Sequence, residues 1–234
     1  MRSAFRRFWS TDHSLTVLLV LLGIVLFVVY PLRDLGVVGR AFIGVGFSLI
    51  LVSGVGVVAK SPVPAVLVGS LVAVNLALHW LSFWRGGPNL AVWDATMSLV
   101  FCGVLTAVVL VQVFREGPIT AQRIQGAVAV YLLLGLGWAF AYRLIAIARP
   151  DAFVFAGAME GTLRDDHTWR FVYFSFITLT TVGFGDITAA HPVARSLVLG
   201  EALVGQLFPA ILLARLVSLE IESRQVRKQD KDGE

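Results

Sequence analysis

The chain has 234 residues, 57% hydrophobic and only 15% charged, whereas an ordinary soluble domain carries about a quarter charged residues. A soluble globular domain is thereby excluded. A helix needs about 20 mainly apolar residues to cross the hydrocarbon, so this length allows about six crossings with short loops. The formal charge of +4 falls mainly in loops and in the C-terminal tail, where it serves to orient a membrane protein and not to bind nucleic acid.

Arg2, Arg6 and Arg7 precede an uncharged run over 14–30. The run is longer than the roughly 7–15 residues of a signal-peptide core and no small-x-small cleavage site follows, so it is read as the first span. Arg33 and Arg40 bracket a turn. The second run, 41–59, contains Gly44, Gly46, Gly54 and Gly56, small residues that let helices approach closely in lipid. The third, 62–84, has no Asp, Glu, Lys or Arg. Asn75 near its middle is expected to hydrogen-bond a neighbouring helix, and His79 and Trp80 lie toward its far end, where interfacial aromatics sit. The fourth, 90–114, has the single charge Asp94 near its outer end, and also holds Cys102. As the only cysteine, Cys102 excludes intrachain disulfides and a cysteine metal cluster, and is read as apolar packing.

Arg115, Glu116, Gly117 and Pro118 interrupt the apolar pattern, and Thr120 is placed to cap the helix that follows. The fifth span is 124–142, with Arg143 in its last turn. Arg143 is expected to snorkel to the interface, the alternative being a pair with Asp165 or Asp166. A long loop, 150–167, has the length of an outer turret. The segment from Trp169 to Thr180 is too short to cross a bilayer but long enough for about three helical turns, with Asp165 and Asp166 suited to its N-terminal end. The last span, 193–221, leads into a tail with Arg224, Arg227, Lys228 and Lys231. Within it, Glu201 is costly in lipid and must face protein or water, or be protonated. Its expected partner is the short helix or its loop.

Between the short helix and the last span runs Thr180-Thr181-Val182-Gly183-Phe184-Gly185-Asp186. Gly183 and Gly185 alternate with residues bearing side chains, and glycine adopts positive φ without a Cβ penalty. That alternation lets successive carbonyls point the same way, with a Thr181 hydroxyl at the inner end. A row of neutral oxygens suits a dehydrated monovalent cation, whereas a divalent ion prefers carboxylates. One such loop cannot enclose an ion, and the chain holds one copy, so several chains must build the site.

This hexapeptide from Thr181 to Asp186, behind an aromatic run and between two membrane-length segments, resembles the selectivity filter of the potassium-channel pore family. That filter is itself the general example of ion selectivity by backbone carbonyls. The resemblance covers about 169–221 well, and the fifth segment by position. It implies an all-α membrane protein with six transmembrane helices and a re-entrant pore helix and filter loop between helices five and six. It also implies a homotetramer in membrane lipid, with K⁺ as permeant ion at Thr181, Val182, Gly183 and Phe184, Gly185 completing the filter. Thr180, Asp186, Tyr173, Trp169 and Glu201 would support the filter, and Gln206 would line the cavity. Gly205, 19 residues after Asp186, stands where the family's inner helix commonly has a hinge glycine, with packing as the alternative. Pro209 could kink the same helix. No enzyme activity, cofactor or nucleic-acid partner is implied.

Several positions depart from the family. Phe184 stands where tyrosine is usual, so a hydroxyl is missing, and Tyr173 is expected to supply the donor to Asp186 instead. Tyr173 and Phe174 occupy the place of a frequent tryptophan pair, and Ile177 that of a carboxylate in some relatives. Voltage-sensing relatives carry repeated arginines on the fourth segment, but 95–114 here has no Arg or Lys, so a sensor of that design is not expected. The implied division is a four-helix accessory domain over 1–114, a cytoplasmic connector over 115–123, a pore domain over 124–223 and a charged cytoplasmic tail over 224–234. Placing both ends in the cytoplasm leaves only Arg33, Arg40 and Arg85 on the short outer loops, in keeping with the bias of basic residues to the inside. The compact chain looks bacterial, which implies the inner membrane. Two alternatives are a weakly selective monovalent cation channel and a lipid or small-molecule sensor with a channel-like pore domain.

Overall fold

A computed structural model describes residues 11–29, 37–58, 62–114, 120–156 and 168–232. Its helices are α1 (Thr11–Ile24), prolonged by a wider π turn over Val25–Val29, then α2 (Val37–Val58), α3 (Pro62–Arg85), α4 (Pro88–Val113), α5 (Ala121–Ala148), α6 (Thr168–Leu179) and α7 (Pro192–Asp232). Two three-residue strands, β1 (Phe153–Phe155) and β2 (Ile187–Ala189), pair antiparallel with Val154 opposite Thr188. The connector 115–119 and the turret acids Glu160, Asp165 and Asp166 lie outside the described residues, as do Arg33 and Lys60.

Four helices are long and apolar enough to cross a membrane: Ala65–Arg85, Pro88–Val113, Ala121–Ala148 and Pro192–Arg215. Four of the six expected spans are therefore met among the described residues. The described apolar parts of the first two, Ser14–Val28 and Ala41–Val57, fall short of the roughly 20 residues a straight crossing needs. Helix α5 begins at Ala121, ahead of the apolar run read from 124, because polar Gln122 and Arg123 join its first turn. Helix α7 continues through the charged tail to Asp232. Thr120 holds the N-cap position of α5, but its side chain makes no capping bond.

Burial follows helical period. On α4 the buried residues Asp94, Ser98, Phe101, Leu105, Val109 and Val113 recur every three or four positions, forming one stripe. That stripe meets a face of α5 containing Gly126, Ala129, Leu133, Leu136 and Phe140. The two run antiparallel: Val113 of α4 lies against Gly126 of α5, and Asp94, near the start of α4, meets Arg143, near the end of α5. Gly86 and Gly87, both at positive φ, turn α3 back into α4, where Pro88 opens the helix. Helix α1 docks beside the start of α5 through Thr16, which donates to Gln125 at 2.7 Å. Gly54 of α2 packs on Phe101 and Leu105, so at least one glycine of the second run serves close approach.

Most buried polar groups among the described residues are paired, Asn75 Nδ2 and Gln112 Oε1 being the exceptions. The Arg143 guanidinium lies 2.7 Å from Asp94, and His79 Nδ1 lies 3.2 Å from the other Asp94 oxygen. Asp94 is 3% and Arg143 9% exposed, so the Arg143 guanidinium is buried against Asp94 instead of snorkelling to the interface, while the alternative partners Asp165 and Asp166 lie outside the described residues. Arg143 spends its charge on α4, because an ion pair removes the cost of leaving either group alone in lipid. Ser98 donates to Asn75 at 3.4 Å, the interhelical bond expected of Asn75, although the Asn75 amide nitrogen finds no partner.

Removing one member of the ion pair strands a buried charge. Arg143→Met is expected to lower unfolding stability in detergent by about 3–5 kcal/mol, measured by thermal or denaturant melting. The double variant Asp94→Leu/Arg143→Met should lose clearly less than Arg143→Met alone. Equal losses would show that the pair carries no such weight.

Candidate functional site

Helix α6 spans 12 residues, about 18 Å at 1.5 Å per residue, which is roughly half the hydrocarbon thickness. One face is wrapped in aromatic rings. Phe171 and Phe174 pack on Phe153, with ring centroids 4.9 and 5.8 Å away, and Tyr142 of α5 lies 5.2 Å from Phe174. Trp169 is buried in the first turn, at the end of α6 away from the loop. Directly after Leu179 the chain enters the 180–186 loop.

There φ is positive at Thr181 (59°), Gly183 (52°) and Gly185 (81°), so every second residue takes the left-handed conformation. Thr181 shares the alternation with the two glycines, although such a conformation costs a β-branched residue strain. The loop's start is tied to the last turn of α6. Thr181 N donates to Thr178 O at 2.9 Å, and Val182 N and Gly183 N both donate to Ile177 O at 2.9 and 3.0 Å. The Thr180 hydroxyl donates to Phe176 O at 2.6 Å. Leu179 O accepts from the Tyr131 hydroxyl of α5 at 3.0 Å. All four terminal carbonyls of α6 thus have donors, and the helix end offers a field instead of free oxygens.

The outer end is anchored through Asp186. The Tyr173 hydroxyl donates to its Oδ2 at 2.7 Å and the Ile187 amide to its Oδ1 at 3.1 Å, while its backbone carbonyl accepts from Ala156 at 2.8 Å. The last bond prolongs the β1–β2 pairing, which joins the turret to the chain leaving the loop. Val182 and Phe184 project outward, Phe184 being 71% exposed.

Behind α6, Glu201 of α7 is fully buried. Its Oε2 meets the Tyr142 hydroxyl and its Oε1 the Ser175 hydroxyl of α6. Ser175 also donates to Gly135 O of α5 at 2.7 Å. One turn below, Gly205 lies against the end of α6: a Cβ there would stand 1.9 Å from Leu179 O. Gly205 is therefore a contact glycine, its missing side chain making room for the neighbouring backbone, and α7 runs through it as one helix with Pro209 inside. Gln206 and Pro209 are exposed in the single chain.

The structure brings Tyr173 to Asp186 and Glu201 to α6, and sets Gly205 under Leu179. Tyr131, Tyr142 and Ser175 were not singled out from sequence. A signal existed: the two tyrosines are eleven residues apart, three turns along one face, and Ser175 is the one serine of α6. A buried carboxyl needs such donors.

Gly205→Ala should lower the melting temperature of the purified protein, by an overpacking cost of about 1–3 kcal/mol or more. Gly200→Ala is the control, since its Cβ meets nothing closer than Trp138 at 3.6 Å. It should be neutral or slightly stabilising through helix propensity. A Gly205→Ala protein as stable as Gly200→Ala would contradict the close contact.

Residues 130–222 match the family model described as ion channel. Protein LctB of Bacillus caldotenax is 29% identical over 129 residues, covering 52% of this chain and 96% of that one. Protein LctB of Geobacillus stearothermophilus is 28% identical over 134 residues, with the same coverage of 52% and 96%. Two pore potassium channel c of Oryza sativa subsp. japonica is 39% identical over 54 residues, 23% of this chain and 12% of that one. No solved structure gives a significant match. The match over 130–222 takes in most of α5, all of α6, the 180–186 loop and the membrane-length part of α7, so this region is similar to the ion-channel family, and with the four membrane-length apolar helices it supports an integral membrane protein.

Proposed function

We propose that the chain is a subunit of a potassium-selective channel, working as a homotetramer in which the backbone carbonyls of Thr181, Val182, Gly183 and Phe184 replace the hydration shell of K⁺, with Gly185 closing the outer end. The observation that carries this reading is the left-handed conformation at every second residue from Thr181 to Gly185. In an extended strand neighbouring carbonyls alternate sides, whereas this alternation supports a row of oxygens on one side. The likeness of a 54-residue segment to a plant protein named as a potassium channel supports the choice of ion.

Four copies around an axis would enclose the ion. The large apolar surface left on one chain fits that reading: Leu199, Leu203, Leu207 and Ile211 stand exposed at four-residue spacing along α7, beside the loop's exposed Val182 and Phe184. Gln206 then faces the cavity below the filter. Thr180, Asp186 and Tyr173 hold the loop at its two ends. The pore domain takes in α5 to α7 and α1 to α4 form an accessory domain, with both termini in the cytoplasm and the protein in a bacterial inner membrane. The chemistry is ion transfer without covalent change. The stimulus is not read by arginines on α4, because 95–114 carries no basic residue.

The test is uptake of K⁺ and Na⁺ into liposomes carrying the purified protein. K⁺ uptake well above Na⁺ uptake is expected, and Gly183→Ala should abolish it. A Cβ at Gly183 meets no atom within 4 Å, so the substitution acts through backbone strain at positive φ, about 1–3 kcal/mol in each subunit. Equal uptake of the two ions would favour a weakly selective channel, for which the missing hydroxyl at Phe184 is the specific motive. Cross-linking that yields no species above a dimer would overturn the tetramer.

A further inference from the structure

Three short oxygen–oxygen contacts run in series, two at Glu201 and one from Ser175 to Gly135, and the hydrogens available to fill them can be counted. The Tyr142 hydroxyl lies on Oε2, Oε1 lies on Ser175 Oγ, and Ser175 Oγ lies 2.7 Å from Gly135 O. A peptide carbonyl only accepts, and a hydroxyl has one proton to give. The Ser175 proton therefore belongs to Gly135 O. With an ionised Glu201, Tyr142 supplies a second hydrogen and the contact between Oε1 and Oγ is left with none, two acceptors pressed together. Giving Ser175's proton to Glu201 merely moves the same defect to Gly135. With a protonated Glu201, three hydrogens fill three contacts, and every one runs in the same direction.

The surroundings agree. Glu201 is fully buried and its two side-chain partners are neutral hydroxyls. The other ionisable side chain near it is Tyr131 of the same α5 face. A carboxylate held there would be a charge in an apolar body with no cation against it among the described residues, an arrangement costing several kcal/mol. Asp94 shows the contrasting solution, a buried acid met by Arg143.

We propose that Glu201 is a neutral, protonated carboxyl that donates to Ser175, making a one-way chain from Tyr142 through Glu201 and Ser175 to the Gly135 carbonyl. The chain joins α5, α6 and α7 behind the loop. Glu201 is thus a positioning residue: it touches no ion and acts by holding α6, whose last turn carries the first amides of the loop. Its bearing on conduction rests on the channel reading, but the proton does not, so the two can fail separately.

The experiment uses the full chain in liposomes at neutral pH. Infrared difference spectra between the wild type and Glu201→Gln should show a protonated-carboxyl stretch present only in the wild type. A carboxylate pair of bands in its place would overturn the proposal. Melting of the same proteins gives a second readout. In Glu201→Gln the amide can donate to Ser175 and its oxygen accept from Tyr142, reproducing both directions, so the melting temperature should stay close to that of the wild type. Glu201→Ala should lower it by several degrees. An ionised Glu201 with both hydroxyls donating would be mimicked poorly by an amide, so a Glu201→Gln protein that melts as early as Glu201→Ala, or does not fold, would also overturn the proposal.

Discussion

Non-helical backbone at membrane depth is tolerable only where each amide and carbonyl finds a partner in protein or in a water-filled cavity, and the start of the 180–186 loop meets that constraint through α6. The last turn of α6 leaves four carbonyls open, as any helix end does. The loop's own amides at Thr180, Thr181, Val182 and Gly183 turn back onto three of them, and Tyr131 closes the fourth. Helix end and loop start thus satisfy one another. This is why a helix too short to span can stop inside the protein, and why the left-handed conformations that follow can persist.

Holding α6 in place is then the task of its neighbours. On one side the rings of Phe153, Phe171, Phe174 and Tyr142 supply apolar burial without direction. On the other, Glu201 and Gly205 of α7 meet Ser175 and Leu179 of α6, two contacts each one turn apart. Upper α7 and α6 are thereby keyed together, the first by hydrogen bonds and the second by the absence of a side chain. Below them Phe208 stacks on Tyr131 with ring centroids 6.0 Å apart, and Pro209 removes the amide that would have bonded Gly205 O. Helices α4 and α5 are joined by a separate device, the buried Asp94–Arg143 pair, set in the apolar face that the two share.

Composition and spacing were enough for the membrane class, the short helix before the loop and the glycine alternation, and the family resemblance pointed to the tyrosine that answers Asp186. Each depends on local chemistry: apolar run length, residues tolerant of positive φ, and a donor one helix away. Thr181 at positive φ was not legible, because a β-branched residue argues against that conformation until hydrogen bonds on both sides enforce it. The β1–β2 pairing was equally hidden, three residues per strand being too few for a two-residue period to register.

What needed the packed helices was the identity of partners. Arg143 could have reached solvent or a turret acid, and nothing in its local sequence points to Asp94, 49 residues earlier. Gly205 was open to a hinge or a packing role, and the nearness of Leu179 O gives a packing reason for the missing side chain. Glu201 had to be satisfied somehow, yet its donors lie on two other helices, 59 and 26 residues away. A chain carries its own turns and periods along its length. Which buried polar group meets which is decided by the register and rotation of whole helices, set by the packing of many apolar side chains at once.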